Sequence, residues 1–153
     1  AASVTHHGVE FVERSDKSLD VFNRLALSCS EDNVGVPSVG SNDGKADALS
    51  GALLDVVVDL REGSATYGKW HAELLSAENR RQMYIPEGFA HGFLALEDAT
   101  RLSYKCSRYY APNDEGGIAW NDPTVAIDWQ LERWGIEPSQ LIISDKDSKW
   151  PNL

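Results

Sequence analysis

The chain has 153 residues, 42% of them apolar and 25% charged, with 12 Gly and 6 Pro, the balance of a globular domain. Twenty-four Asp and Glu against fourteen Lys and Arg leave a formal net charge of -10, an acidic surplus that opposes broad contact with phosphate backbones and excludes nucleic acid as a partner. No apolar run approaches the roughly 20 residues of a membrane helix, and AASVTHHGVEF lacks the basic-then-hydrophobic order of an export signal, so neither membrane nor export is expected. Two cysteines, Cys29 and Cys106, are too few and too distant in sequence for a disulfide framework or zinc knuckle. They read as small buried hydrophobes in a reducing cytoplasm. The expectation is a single domain over residues 1–153, with 1–50 an atypical, loop-rich portion.

In chain order, the segment from Val34 to Ser50, VGVPSVGSNDGKADALS, is small, polar and Gly-rich and reads as a loop. GALLDVVVDL then alternates, with Asp55, Val57 and Asp59 on one face and Leu54, Val56, Val58 and Leu60 on the other. That pattern predicts a strand with one apolar face. Asp55 and Asp59 could then face solvent, the preferred reading for Asp59. REGSATYGKW supplies turn residues, KWHAELL alternates again, and SAENRR carries an Asn turn before RQMYIPEG. His71 shares a face with Lys69 and Glu73, which places it on the surface.

In FAHGFLALEDATRLSYKCSRYY, Phe89, His91, Phe93 and Ala95 share a face, and Leu102, Tyr104 and Cys106 share another. A hairpin turning at residues 97–100 predicts Leu96 opposite Arg101 and His91 opposite Cys106, with Tyr104 diagonal to His91 and both side chains in one cavity. Beyond Ala111 come Pro- and Gly-rich connections, the strand-like VAIDW, a short helical turn near EPSQ, and the polar ISDKDSKW. Many short strands with few helices predict an all-β fold, an antiparallel jelly-roll barrel built mainly from residues 51 to 130, with short helical segments near the C-terminus.

The strings DVVVDLREGSATYGKW, LSAENRRQMYIPEGFAHGFLAL, YKCSRYYAPNDEGGIAWNDPTVAIDW and LIISDKD resemble successive motifs of the dTDP-4-dehydrorhamnose 3,5-epimerase family, a group of cupin-type jelly rolls. The resemblance runs almost without interruption from about residue 51 to 150. Before that it is loose, carried by GVEFVER and EDN. It implies an isomerase of dTDP-rhamnose biosynthesis, acting without cofactor or metal on a dTDP-4-keto-6-deoxy sugar, as a homodimer.

The chemistry implied is proton exchange beside a ketone. Removing the proton at C3 or C5 leaves an enolate shared with the C4 oxygen, so the reaction needs a base, a group to hold the oxyanion, and an acid on the opposite face. Carried over by resemblance, Tyr104 matches the acid and Asp147 the carboxylate that orients the catalytic histidine. His91 matches a second active-site histidine that contacts the sugar nucleotide, and Lys45 the lysine that stabilises the enolate. Glu13, Glu31, Asp32, Asn33, Glu115 and Lys146 match substrate-binding positions. The departure is the base itself: the family's Arg-Gly-Leu-His motif has no counterpart, and no histidine stands between His7 and His71. Weak or absent epimerisation is therefore expected, unless His6 or His7 reaches the barrel mouth or Tyr104 serves one face alone.

Read without the family, His91 between two phenylalanines is a core residue, Tyr104 is packing with a paired hydroxyl, and Asp145, Lys146 and Asp147 form a charged turn. Metal-dependent cupins gather two or three histidines and a carboxylate around one ion, and His91 alone inside the barrel does not supply that set. Two other classes of function stay open: a nucleotide-sugar-binding homologue that has lost the reaction, and a structural dimerisation partner whose pocket is filled.

Overall fold

A computed structural model describes residues 2–6, 9–13, 18–24, 44–106, 116–145 and 147–153, with side chains described from Gly44 onward. Ten strands lie in these segments: β1 (Ala2–His6), β2 (Val9–Glu13), β3 (Ser18–Arg24), β4 (Gly44–Ser50), β5 (Ala52–Asp59), β6 (Trp70–Ser76), β7 (Gln82–Ile85), β8 (Phe89–Ala95), β9 (Arg101–Cys106) and β10 (Ile142–Ile143). They form two five-stranded sheets, β1-β2-β9-β4-β7 and β10-β3-β8-β5-β6. Every pairing is antiparallel except the short β10–β3 contact. The fold is the jelly roll that the strand spacing predicts.

Four sequence readings of the strand layout are corrected. Gly44–Ser50 is strand β4 rather than loop; its Gly-rich neighbours 34–43 lie outside the described residues. VAIDW is not a strand; Val125 and Trp129 instead bury their side chains against the outer face of the second sheet. The barrel also draws on strands ahead of residue 51, β1 to β4.

The fourth correction concerns β8 and β9, which are not a hairpin. β8 pairs with β3 and β5, whereas β9 pairs with β2 and β4, so residues 96–100 cross from one sheet to the other. Thr100 holds this crossing by donating its hydroxyl to the Glu97 carbonyl at 2.7 Å. Gly51 makes the reverse crossing from β4 to β5 with φ of 67°. A Cβ there would stand 2.5 Å from the Thr100 hydroxyl, so both backbone and packing require glycine.

The two crossings explain why β5 is buried along its whole length. Its apolar face, Leu54, Val56, Val58 and Leu60, turns away from the facing sheet and is covered by Ile118, Val125, Trp129 and Ile136. Its other face, Leu53, Asp55, Val57 and Asp59, turns into the space between the sheets. There Leu53 and Val57 pack with Ala46, Ala48, Leu75, Met83, Ile85, Phe93, Leu102 and Tyr104. Asp55 and Asp59, at 0% and 1% exposure, are thus interior rather than solvent-facing.

The C-terminal segment carries the single-turn helix α1 (Leu131–Trp134) and a 3-10 turn at Pro138–Gln140, where the EPSQ reading put one. Among the described residues no helix is long and apolar enough to cross a membrane.

Candidate functional site

His91 and Tyr104 reach the interior from opposite sheets. His91 on β8 stands opposite Val57 on β5, and Tyr104 on β9 stands opposite Ala46 on β4. Alternation turns each side chain inward, and the sandwich brings them face to face: ring centroids are 5.1 Å apart with planes inclined by 13°. Both are at least 95% buried. Both side chains point into the space between the sheets, but the two residues come from facing sheets, not neighbouring strands.

Asp55 completes the arrangement. It lies diagonal to His91 on the same face of β5, and its Oδ1 is 2.6 Å from His91 Nε2. A carboxylate so placed accepts the Nε2–H, fixes the tautomer, and leaves Nδ1 as the basic nitrogen of the neutral ring. Its second oxygen, Oδ2, is buried without a hydrogen-bond partner among the described residues. Sequence reasoning left Asp55 without a role. The signal that finds it is its position: an aspartate at an alternating site one step diagonal to an inward histidine.

One end of the sandwich is shaped by a second carboxylate. Asp59 ends β5 opposite Phe89, and accepts hydrogen bonds from the Arg61 backbone N–H (3.0 Å), Arg61 Nε (2.9 Å) and Nη2 (2.7 Å), and the Ser64 and Thr66 hydroxyls (2.6 Å each). The Arg61 guanidinium, more than burial opposes it, holds the Asp59 carboxyl far below the usual carboxylate range, helped by the hydroxyls. The guanidinium also lies 4.7 Å above the Phe89 ring. Asp59 is therefore a turn-building group, and Phe89 is fixed two residues from His91.

The remaining candidates divide. Lys45 is exposed on the outer face of β4, opposite the exposed Lys105 and Tyr84. The inward positions of β4 are Gly44, Ala46 and Ala48, so strand parity turns this lysine away from the His91–Tyr104 pair, which corrects the enolate-stabilising assignment. Asp147 is buried in a 3-10 turn, Asp147–Lys149, where it accepts from Ser144 Oγ at 2.5 Å and Trp150 Nε1 at 3.4 Å. No described hydrogen bond joins it to His91 or Tyr104. Glu13 stands in register with Arg101, three residues along β9 from Tyr104. Glu31, Asp32, Asn33, Glu115 and Lys146 lie outside the described residues. His71 is exposed on the edge strand β6, as expected. His6 lies in β1, two strands from β9 and in register with Lys105. Among the described residues no three His, Cys, Asp or Glu side chains converge as a metal site would require.

Comparison with known proteins gives a consistent set of similarities. The family model for dTDP-4-dehydrorhamnose 3,5-epimerase matches residues 43–153. The dTDP-4-dehydrorhamnose 3,5-epimerase of Methanothermobacter thermautotrophicus is 51% identical over 105 residues, which is 69% of this chain and 55% of that protein. Among solved structures, the dTDP-4-dehydrorhamnose 3,5-epimerase of Elizabethkingia anophelis superposes with a TM-score of 0.80 at 33% identity, covering 99% of this chain and 73% of its own. The dTDP-6-deoxy-D-glucose-3,5-epimerase of Legionella pneumophila, in complex with dTDP-4-keto-L-rhamnose, superposes with a TM-score of 0.78 at 31% identity, covering 99% and 71%. The chain spans about half the length of the curated relatives it matches.

Proposed function

Because the chain belongs to the dTDP-4-dehydrorhamnose 3,5-epimerase family, we propose that it binds a dTDP-linked 4-keto-6-deoxy sugar between its sheets and exchanges the protons at C3 and C5. The observation that carries this reading is the stacked His91–Tyr104 pair, buried inside the sandwich with Asp55 behind the imidazole. Tyr104 is the proton donor: a phenol returns a proton readily to carbon when the acceptor is a strongly basic enolate. His91, its tautomer held by Asp55, contacts the sugar. The working unit is a cytoplasmic homodimer, a reading that rests on the family.

The sequence has no histidine between His7 and His71, so the base of the family's Arg-Gly-Leu-His motif is missing from this chain. Loss of one proton-transfer group costs about 10²- to 10⁴-fold in rate. Slow exchange is the expected behaviour, and the same observation favours a second reading, nucleotide-sugar binding without turnover.

Incubating the purified chain with the dTDP-4-keto-6-deoxy sugar in D2O decides between them. Slow deuterium incorporation that Tyr104→Phe removes supports the epimerase. Binding without incorporation selects the second reading, and failure to bind dTDP-sugar at all overturns both.

A further inference from the structure

The inward face of β4 presents Gly44, Ala46 and Ala48 to the interior, and the first of these meets the Tyr104 hydroxyl. A Cβ placed on Gly44 would stand 2.2 Å from Tyr104 Oη, 2.8 Å from Cζ and 3.2 Å from Cε2. Gly44 is not in the left-handed region that favours glycine, so its backbone does not demand glycine, and the tightest constraint on a side chain there is Tyr104. The tyrosine has no easy retreat: it is 2% exposed, its ring has two side-chain torsions, and His91 lies against its face.

We propose that Gly44 is a positioning residue, whose missing side chain is the seat that sets the height of the Tyr104 hydroxyl above the His91 ring. Any side chain at position 44 pushes the phenol off its stack, and with it the proton donor. The same parity that turns Lys45 outward brings Gly44 inward. The consequence for proton transfer rests on the epimerase reading above; the seating of the ring does not.

The test uses the proton NMR signal of His91 Cε1–H, one of four histidines in the chain, assigned by its disappearance in His91→Gln. Stacking on Tyr104 shifts this signal by ring current, and Tyr104→Leu gives its unstacked position. Gly44→Ala is expected to move it towards the Tyr104→Leu position. It should also slow deuterium exchange about 10²-fold, the cost of misplacing a reacting group by about 1 Å, with dTDP affinity unchanged. An unmoved signal in folded Gly44→Ala overturns the proposal. Should Gly44→Ala fail to fold, the double variant Gly44→Ala/Tyr104→Leu, which vacates the space, must fold; if it does not, Gly44 serves something other than Tyr104 and the proposal falls. A wild-type chain without exchange would refute the epimerase reading and leave the NMR result to decide the seat.

Discussion

Asp55 is fully buried, and the geometry gives the reason that a carboxylate is tolerated there. Its Oδ1 is matched to the only imidazole described inside the sandwich, 2.6 Å away. Truncating Asp55 leaves the buried Nε2–H of the neutral imidazole without its acceptor, a cost of about 1 to 3 kcal/mol. Asp55→Ala should therefore lower the melting temperature well beyond the effect of Glu73→Ala, whose carboxylate pairs with Arg81 at an exposed edge. Equal shifts in a thermal melt would mean that the interior pair is not held as described. His91 and His71 both stand opposite Val57 in register, on either side of β5, but only His91 is buried. Binding of dTDP, followed by calorimetry, should be weakened by His91→Ala and left nearly unchanged by His71→Ala. Equal losses would place the ligand elsewhere.

Two turn elements depend on buried carboxylates whose charge the fold favours. Burial acts to raise the Asp122 carboxyl, but the backbone N–H groups of Leu153, Val125 and Thr124 outweigh it and the net direction is down. Those bonds tie residues 122–125 to Leu153. For Asp59 the dominant cause is the Arg61 guanidinium. A group whose folded pKa lies below its unfolded value stabilises the fold above that unfolded value, near 3.9 for aspartate, and loses the contribution as pH falls towards the folded pKa. Asp59→Asn and Asp122→Asn should each lower the melting temperature at pH 7, by an amount corresponding to about 1 to 3 kcal/mol of lost hydrogen bonding. The gap between wild type and each variant should narrow as pH drops below about 4. Melts at pH 7, 5 and 3 check this, and a gap that widens in acid would reverse the assignment.

For the whole molecule, ten described strands in two sheets build a scaffold in which β4 and β5, and β8 and β9, consecutive in the chain, lie in opposite sheets across an interior instead of pairing side by side. Both sheets contribute to the site, β5 and β8 from one and β4 and β9 from the other. Filling that interior from one side should therefore disturb both. Val57→Trp, two residues from Asp55 on β5 and in register with His91 on β8, should remove dTDP binding while the outer cluster under Trp129 keeps the chain folded, as read by near-ultraviolet circular dichroism. Retained binding in the folded variant would show that the ligand does not enter between the sheets. Light scattering on the purified chain tests the homodimer; a monomer at micromolar concentration would exclude it.

The amino-acid sequence by itself determined the strands of residues 51–106, because alternation and Asn and Gly turns are local properties of the chain. It also determined that His91 and Tyr104 point inward, since parity survives any change of strand partner. What it left to the tertiary structure was which strand lies beside which. β8 and β9 read as a hairpin because they are joined by a short polar turn, yet each finds its partners in a different sheet. Strand partnership depends on how whole faces pack, and no local pattern encodes it. The apolar face of β5 looked like the wall of the barrel, but Ile118, Val125, Trp129 and Ile136 cover it from outside and leave the aspartates facing in. Lys45 lies one residue from the inward position that Gly44 holds, and a one-residue difference in strand register reverses the side on which a side chain stands.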